Sequence, residues 1–404
     1  MVHSFKAELL ADLQLGLAVA LSISCMQQLD FAKLGIEFPV CMSQNGGYFC
    51  IQRNGVLHRL SNAIVGLFVA SLLRMAAHDA APPTADRQAM KAFIFSILTF
   101  TPAFMIKALL AALNTTLPGT VSSSWVACTT VHLCVAFGSF MIAWSLGFLP
   151  TDAPPKRDSW AQVCSTSTMR VYVLHFSALL NGVTALPIGF AWNQLKNDLF
   201  ALLPIPAEAS VAGLACTVLI QTALCILLSV VRMSLDWVNG TTLAAKLCPP
   251  PVLARHKFLQ AKTLEFMLAW AIYDVLQSVW APVSLSPCAP SLLPTLLPGS
   301  QHWVAPLVLL LILCLSMFAA LYPRPEKIAG SALLGASLGM LVATLGIQLG
   351  WAFRDSYIAL VEFCLPLSAD TVNLGLIFSL LGVIAMLRVL DHMPKNGRVE
   401  PSLL

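Results

Sequence analysis

Charge is what this sequence has least of. Only 10% of its 404 residues are Asp, Glu, Lys or Arg, while 58% are hydrophobic. Soluble domains carry about 25% charged residues, so this chain cannot cover a water-facing surface, and a soluble globular protein is excluded. Recognisable chemistry is equally scarce. There is no CxxC pair, zinc-ligand spacing, P-loop, dinucleotide fingerprint or RNA-binding pattern. The glycines of "GVLHRLSNAIVGLF" lack the strand–turn–helix setting that phosphate binding requires. The net charge of +4 comes from basic residues scattered over connections, which argues against a nucleic-acid partner. No metal and no cofactor are expected.

What is present is apolar length. Mean hydropathy is +0.79. A membrane span needs about 20 apolar residues, and ten stretches qualify: 8–26, 60–77, 91–113, 124–148, 169–190, 209–231, 263–284, 303–322, 331–353 and 371–390. The expected fold is therefore all-α, one polytopic domain over 1–404 with about ten transmembrane helices in a lipid bilayer. The first stretch has no small-residue cleavage site and reads as a retained span rather than a signal peptide.

Lys and Arg orient the threading. Seventeen of the 23 fall on the side of both termini. Five (Lys33, Arg53, Arg59, Lys196 and Arg354) fall on the other side, and Lys107 lies inside a span. This split predicts cytosolic N- and C-termini, an outer loop at 28–59, a basic cytosolic loop at 232–262 and a cytosolic tail at 391–404. In a eukaryote the expected location is an endomembrane such as the endoplasmic reticulum. The Asn-Thr-Thr sequon at Asn114 then faces the lumen and is a glycosylation candidate, whereas Asn239 faces the cytosol. Twelve cysteines are spread mostly through apolar spans, where cysteine acts as a small hydrophobe. Cys41 and Cys50 differ, because they flank the turn-rich "SQNGGYF" on the outer side. They are a disulfide candidate. The last five spans do not visibly repeat the first five, so one transporter signature is missing.

Ionisable residues inside spans are costly and default to functional candidates. Asp12 reads as interfacial, and Lys107 as a residue that snorkels to the headgroups. His132 and His175 sit at different depths, and a lone His in a span more often bonds a neighbouring helix than catalyses. Arg170, Tyr172 and His175 share an inner-leaflet face at the depth of Glu265, which makes His175 a secondary catalytic candidate. Glu265 opens the seventh span and reads as interfacial or as a proton donor. Asp274 lies deeper. Nine residues separate the two carboxylates, or two and a half turns, so they face roughly opposite ways. Trp270 and Tyr273 are close to Asp274. A carboxylic acid among apolar groups stays protonated and can act as a general acid, while aromatic faces stabilise a cation. Packing against a His or Lys from another helix is the alternative role for Asp274.

Residues 232–277 resemble part of the fungal wax-synthase-like membrane O-acyltransferases. The likeness rests on "RMSLDW", the prolines of "CPPP", "RHKFLQ" and "IYDVLQ". It implies acyl transfer from acyl-CoA, with a catalytic histidine in a downstream Trp-His-Gln type segment. Beyond Asp274 the only histidines are His302, in "SQHWVAP", and His392, in "LDHMPK"; neither matches. Three functions are carried forward. The foremost is an intramembrane enzyme on a lipophilic substrate, in the form of acid-initiated isoprenoid cyclisation with Asp274 as donor. The others are a membrane O-acyltransferase and a secondary transporter.

Overall fold

The computed structural model describes residues 14–26, 41–44, 47–50, 56–79, 85–121, 125–149, 166–200, 211–241, 248–280 and 332–364, with short pieces near 202, 244–246, 311–316 and 371–379. The chain runs through α1 (14–26), a hairpin of β1 (Cys41–Gln44) and β2 (Gly47–Cys50), α2 (Val56–Asp79), α3 (Ala85–Val121) and α4 (Trp125–Leu146). It continues through α5 (Thr166–Val183), α6 (Ala185–Phe200), α7 (Val211–Asn239), α8 (Pro250–Trp280) and α9 (Ala332–Cys364).

Six helices are long and apolar enough to cross a membrane: Val56–Met75, Ala92–Asn114, Trp125–Leu146, Val171–Phe200, Ala215–Asn239 and Leu333–Ile358. The protein is a helical, multi-pass membrane protein. The first expected span is the shorter apolar helix Gln14–Met26. The expected spans at 303–322 and 371–390, and the tail at 391–404, lie wholly or mostly outside the described residues. Large side chains such as Ile64, Phe137, Ile142 and Leu219 stay exposed on the helix surfaces, which suits lipid and would be an aggregation hazard in water.

The described fold is all-α apart from one two-stranded hairpin, in the stretch expected as an outer loop. Within 232–262, α7 runs to Asn239 and α8 starts at Pro250, so most of this connection is helical. The proline cluster explains this. Helix N-termini leave their first N–H groups unpaired, so prolines fit there. Val252 and Leu253 both donate to the Pro249 carbonyl at 2.9 Å. The Asn239 amide donates to Gln260 at 2.8 Å and pins the turn between the two helices.

The fifth span is two helices in one. Proline at 187 has no N–H for the Val183 carbonyl, and its ring crowds that turn. The chain breaks at Thr184 and resumes as α6. α6 is then buried on nearly every side, from Ala185 to Ala191 and again at Asn193, Leu195 and Lys196. It packs chiefly on α8, α4 and α3. Gly189 lets α6 approach α8 closely, because a Cβ there would lie 2.7 Å from the Phe266 Cβ and 2.9 Å from the Met267 nitrogen. In the same core α1 crosses α9 through glycines. A Cβ on Gly350 would lie 2.5 Å from the Gly16 carbonyl oxygen. Gly346 and Gly350 have the four-residue spacing that lets membrane helices touch backbone to backbone.

Hydroxyls in this apolar setting bond their own helix. Ser71, Thr99, Ser229 and Thr217 each donate to the carbonyl four residues back, at 2.7–2.9 Å. That satisfies a group that lipid cannot.

Candidate functional site

Four aromatic rings from three helices meet at the centre. Trp270 of α8 stands edge-on to Phe190 of α6, with centroids 5.3 Å apart, and to Tyr273 at 6.1 Å. Trp351 of α9 lies 4.5 Å from Trp270 and 4.6 Å from Tyr273. The Gly189 contact makes this possible by bringing the start of α6 against α8. Trp270 and Trp351 are buried. The Trp270 indole N–H and the Gln348 Oε1 have no hydrogen-bond partner among the described residues. Gln348 Nε2 donates to the Ala269 carbonyl, which aims the side chain at this part of α8.

Lys107 turns inward, not to the headgroups. Its Nζ is 4.6 Å from the Phe190 centroid and 5.0 Å from that of Trp270. The negative ring faces compensate its charge, so the expected snorkelling is replaced by a cation–aromatic contact. Asp274 follows Tyr273 directly and Trp270 by four residues on α8; its side chain lies outside the described ones.

Glu265 lies fifteen residues into α8, about 22 Å along the axis from its start, and the residue is buried. Oε1 accepts from Arg232 at 2.9 Å and Oε2 from Lys262 at 2.6 Å. The contact with Arg232 makes Glu265 a clasp between α7 and α8. His175 is buried on α5, which packs mainly against α2. Tyr172 of the same helix stacks with Phe176 and meets Phe68. Asp12 and the side chain of Arg170 lie outside the described residues.

His132 does bond a neighbouring helix, and its partner was not expected. Nδ1 lies 2.5 Å from Asp198 Oδ2 on α6, and Nε2 lies 3.3 Å from the Asn114 carbonyl of α3. Both ring nitrogens face oxygen atoms of neighbouring helices, so the ring ties α4 to α6 and α3. Trp125 adds an indole bond to the Asp198 carbonyl at 3.3 Å. Asp198 was missed because residues after 190 read as outer loop; the apolar spacing of Leu195 and Leu199 was the available signal. The Asn114 amide is enclosed in this packing, and neither of its side-chain polar atoms has a partner among the described residues.

A second buried histidine occupies the start of α8. His256 stacks on Trp144 with centroids 3.6 Å apart and donates from Nε2 to the Trp144 carbonyl at 3.0 Å. Arg255 donates to the carbonyls of Gly147 and Leu149, closing the C-terminus of α4, where a cation is favoured. Burial, opposed by the Trp144 bond and aided by the Arg255 charge, lowers the His256 pKa from its ordinary value. Below about pH 6.5 the unfolded chain takes up a proton that folded His256 resists, so stability falls as pH falls. Thermal melting in detergent at pH 7.5 and pH 5.5 should show this loss, and His256→Phe should reduce it.

An apolar groove of about 470 Å³ lies on α3 and α4, lined by Leu117, Ala127, Thr130, Val131, Cys134 and Val135. None of the aromatic or charged residues above lines it. Among the described residues no group of three or more His, Cys, Asp or Glu could hold a metal ion.

No family model, curated protein or solved structure matches this chain. The likeness of residues 232–277 to wax-synthase-like acyltransferases therefore extends no further than its short stretches.

Proposed function

We propose that the protein is a membrane enzyme acting on a lipophilic substrate, in the form of an acid-initiated isoprenoid cyclase. One observation carries this reading: Trp270, Tyr273, Trp351 and Phe190 converge around the helix that bears Asp274. Asp274 donates the proton to an alkene carbon or to an epoxide oxygen, whose C–O bond then breaks to leave a hydroxyl, and Tyr273 and Trp351 face the carbocation that results. Trp270 is less suited to that task, because Lys107 already lies over its ring. The Trp270 N–H and the Gln348 carbonyl are the groups that would bind a polar substituent of the substrate.

The acyl-transfer reading is weaker on geometry. It asks for cationic residues such as Arg255 and Lys257 at the mouth of an acyl-CoA tunnel, and of these Arg255 is spent on the end of α4. Ten spans, cytosolic termini and an endomembrane location belong to the same proposal and rest on the distribution of Lys and Arg. The test is to express Asp274→Asn in cells supplied with a linear prenylated precursor and to quantify cyclised product against the amount of inserted protein. Loss of product is expected, with Trp351→Leu lowering it about tenfold or more. Unchanged product from Asp274→Asn would overturn the assignment.

A further inference from the structure

The hairpin of the outer loop was expected only as a turn, and its register carries a specific consequence. β1 and β2 pair antiparallel as Gln44↔Gly47, Ser43↔Tyr48, Met42↔Phe49 and Cys41↔Cys50. Two residues, Asn45 and Gly46, connect the strands, and Asn-Gly is the strongest short signal for a tight hairpin turn. In such a hairpin the pair flanking the turn is hydrogen-bonded, and the pairs then alternate. Gln44↔Gly47 is hydrogen-bonded, so Cys41↔Cys50, three steps along, is a non-hydrogen-bonded pair. At those pairs the Cα atoms stand about 4.5 Å apart. Disulfides need Cα atoms about 4.4–6.8 Å apart, and the position satisfies that without bending either strand.

We infer that Cys41 and Cys50 form a disulfide that closes this hairpin on the non-cytosolic side of the membrane. This site is independent of the cyclase reading. Each thiol gives up one hydrogen as the S–S bond forms. The two electrons pass to a disulfide-bearing oxidant by thiol–disulfide exchange, and that oxidant is reduced to its dithiol. Such oxidants act in the lumen or outside the cell, whereas the cytosol keeps thiols reduced. The bond therefore reports which side of the membrane holds the hairpin, from chemistry unrelated to the Lys and Arg distribution.

Trypsin provides a direct measurement, because Lys33 and Arg53 bracket both cysteines with no basic residue between them. The full chain is expressed in a eukaryotic host, and free thiols are blocked with N-ethylmaleimide at the moment of lysis. The peptide 34–53 is then weighed without reduction. It should carry no maleimide and be two hydrogens lighter than the dithiol, and reduction should open both cysteines to labelling. In Cys41→Ser the remaining Cys50 should become labelled. Labelling of both cysteines without reduction would overturn the inference, as would linkage of either to a different peptide. An unlabelled Cys50 in Cys41→Ser would also overturn it, because its protection would then not come from Cys41.

Discussion

Gly189→Ala should be strongly destabilising, although alanine is the better helix former. The helix preference is worth about 1 kcal/mol in favour of alanine. Against it, the new methyl would lie 2.7 Å from the Phe266 Cβ, 2.9 Å from the Met267 nitrogen and 3.0 Å from the Phe266 carbonyl carbon. Two of these neighbours are backbone and cannot rotate away, so α6 and α8 must separate. Overpacking a core usually costs about 1–3 kcal/mol, and a backbone neighbour puts this case at the upper end or beyond. The separation also pulls Phe190 from Trp270, so the aromatic cluster should loosen as stability falls. Gly335→Ala and Gly339→Ala are the controls. Nothing lies within 4 Å of a Cβ at either position, and each should be neutral or stabilising by up to about 1 kcal/mol. Midpoints of thermal aggregation in one detergent would rank the three variants. Equal midpoints for Gly189→Ala and Gly339→Ala would sink the argument.

The His132–Asp198 pair should behave as a coupled unit. Removing one partner leaves the other polar group unpaired in an apolar bundle, which costs about 1–3 kcal/mol. The side chains are 13% and 20% exposed, so little solvent is available to screen what remains. His132→Leu and Asp198→Leu should each be severe, and the double variant should be less damaging than the two costs added. A double-mutant cycle on stability reads the coupling directly. Strict additivity would mean that the 2.5 Å contact holds nothing together. Asp198→Asn should be the mildest of the set, because an amide oxygen still accepts from the imidazole.

Much of the architecture was readable before any coordinates, and the failures have specific causes. The helices at 56–79, 125–146 and 211–239 follow apolar runs that no other element could accommodate. "CPPP" was misread as a loop because prolines mark both loops and helix starts; the Pro249 carbonyl bonds decide between them. That one error moved Glu265 from the middle of a helix to an edge. Lys107 was assigned to the headgroups because depth alone was considered, whereas its Nζ lies over the ring faces of Phe190 and Trp270. Trp270 and Tyr273 were legible as a pair from their spacing on α8. Trp351, some eighty residues later, had no local signal that linked it to them.

The sequence by itself determined that the chain lives in lipid, because scarcity of charge and apolar run length are sums over neighbouring residues and need no fold to evaluate. It also determined the break at Pro187 and the turn at Asn45-Gly46, since both follow from local backbone chemistry. Only the tertiary structure decided which polar groups meet. Asp198 for His132, Arg232 for Glu265 and the aromatic rings for Lys107 are all choices made across helices. Such pairings depend on distances of a few ångströms between residues far apart in sequence, and those distances are set by where glycines let helices touch.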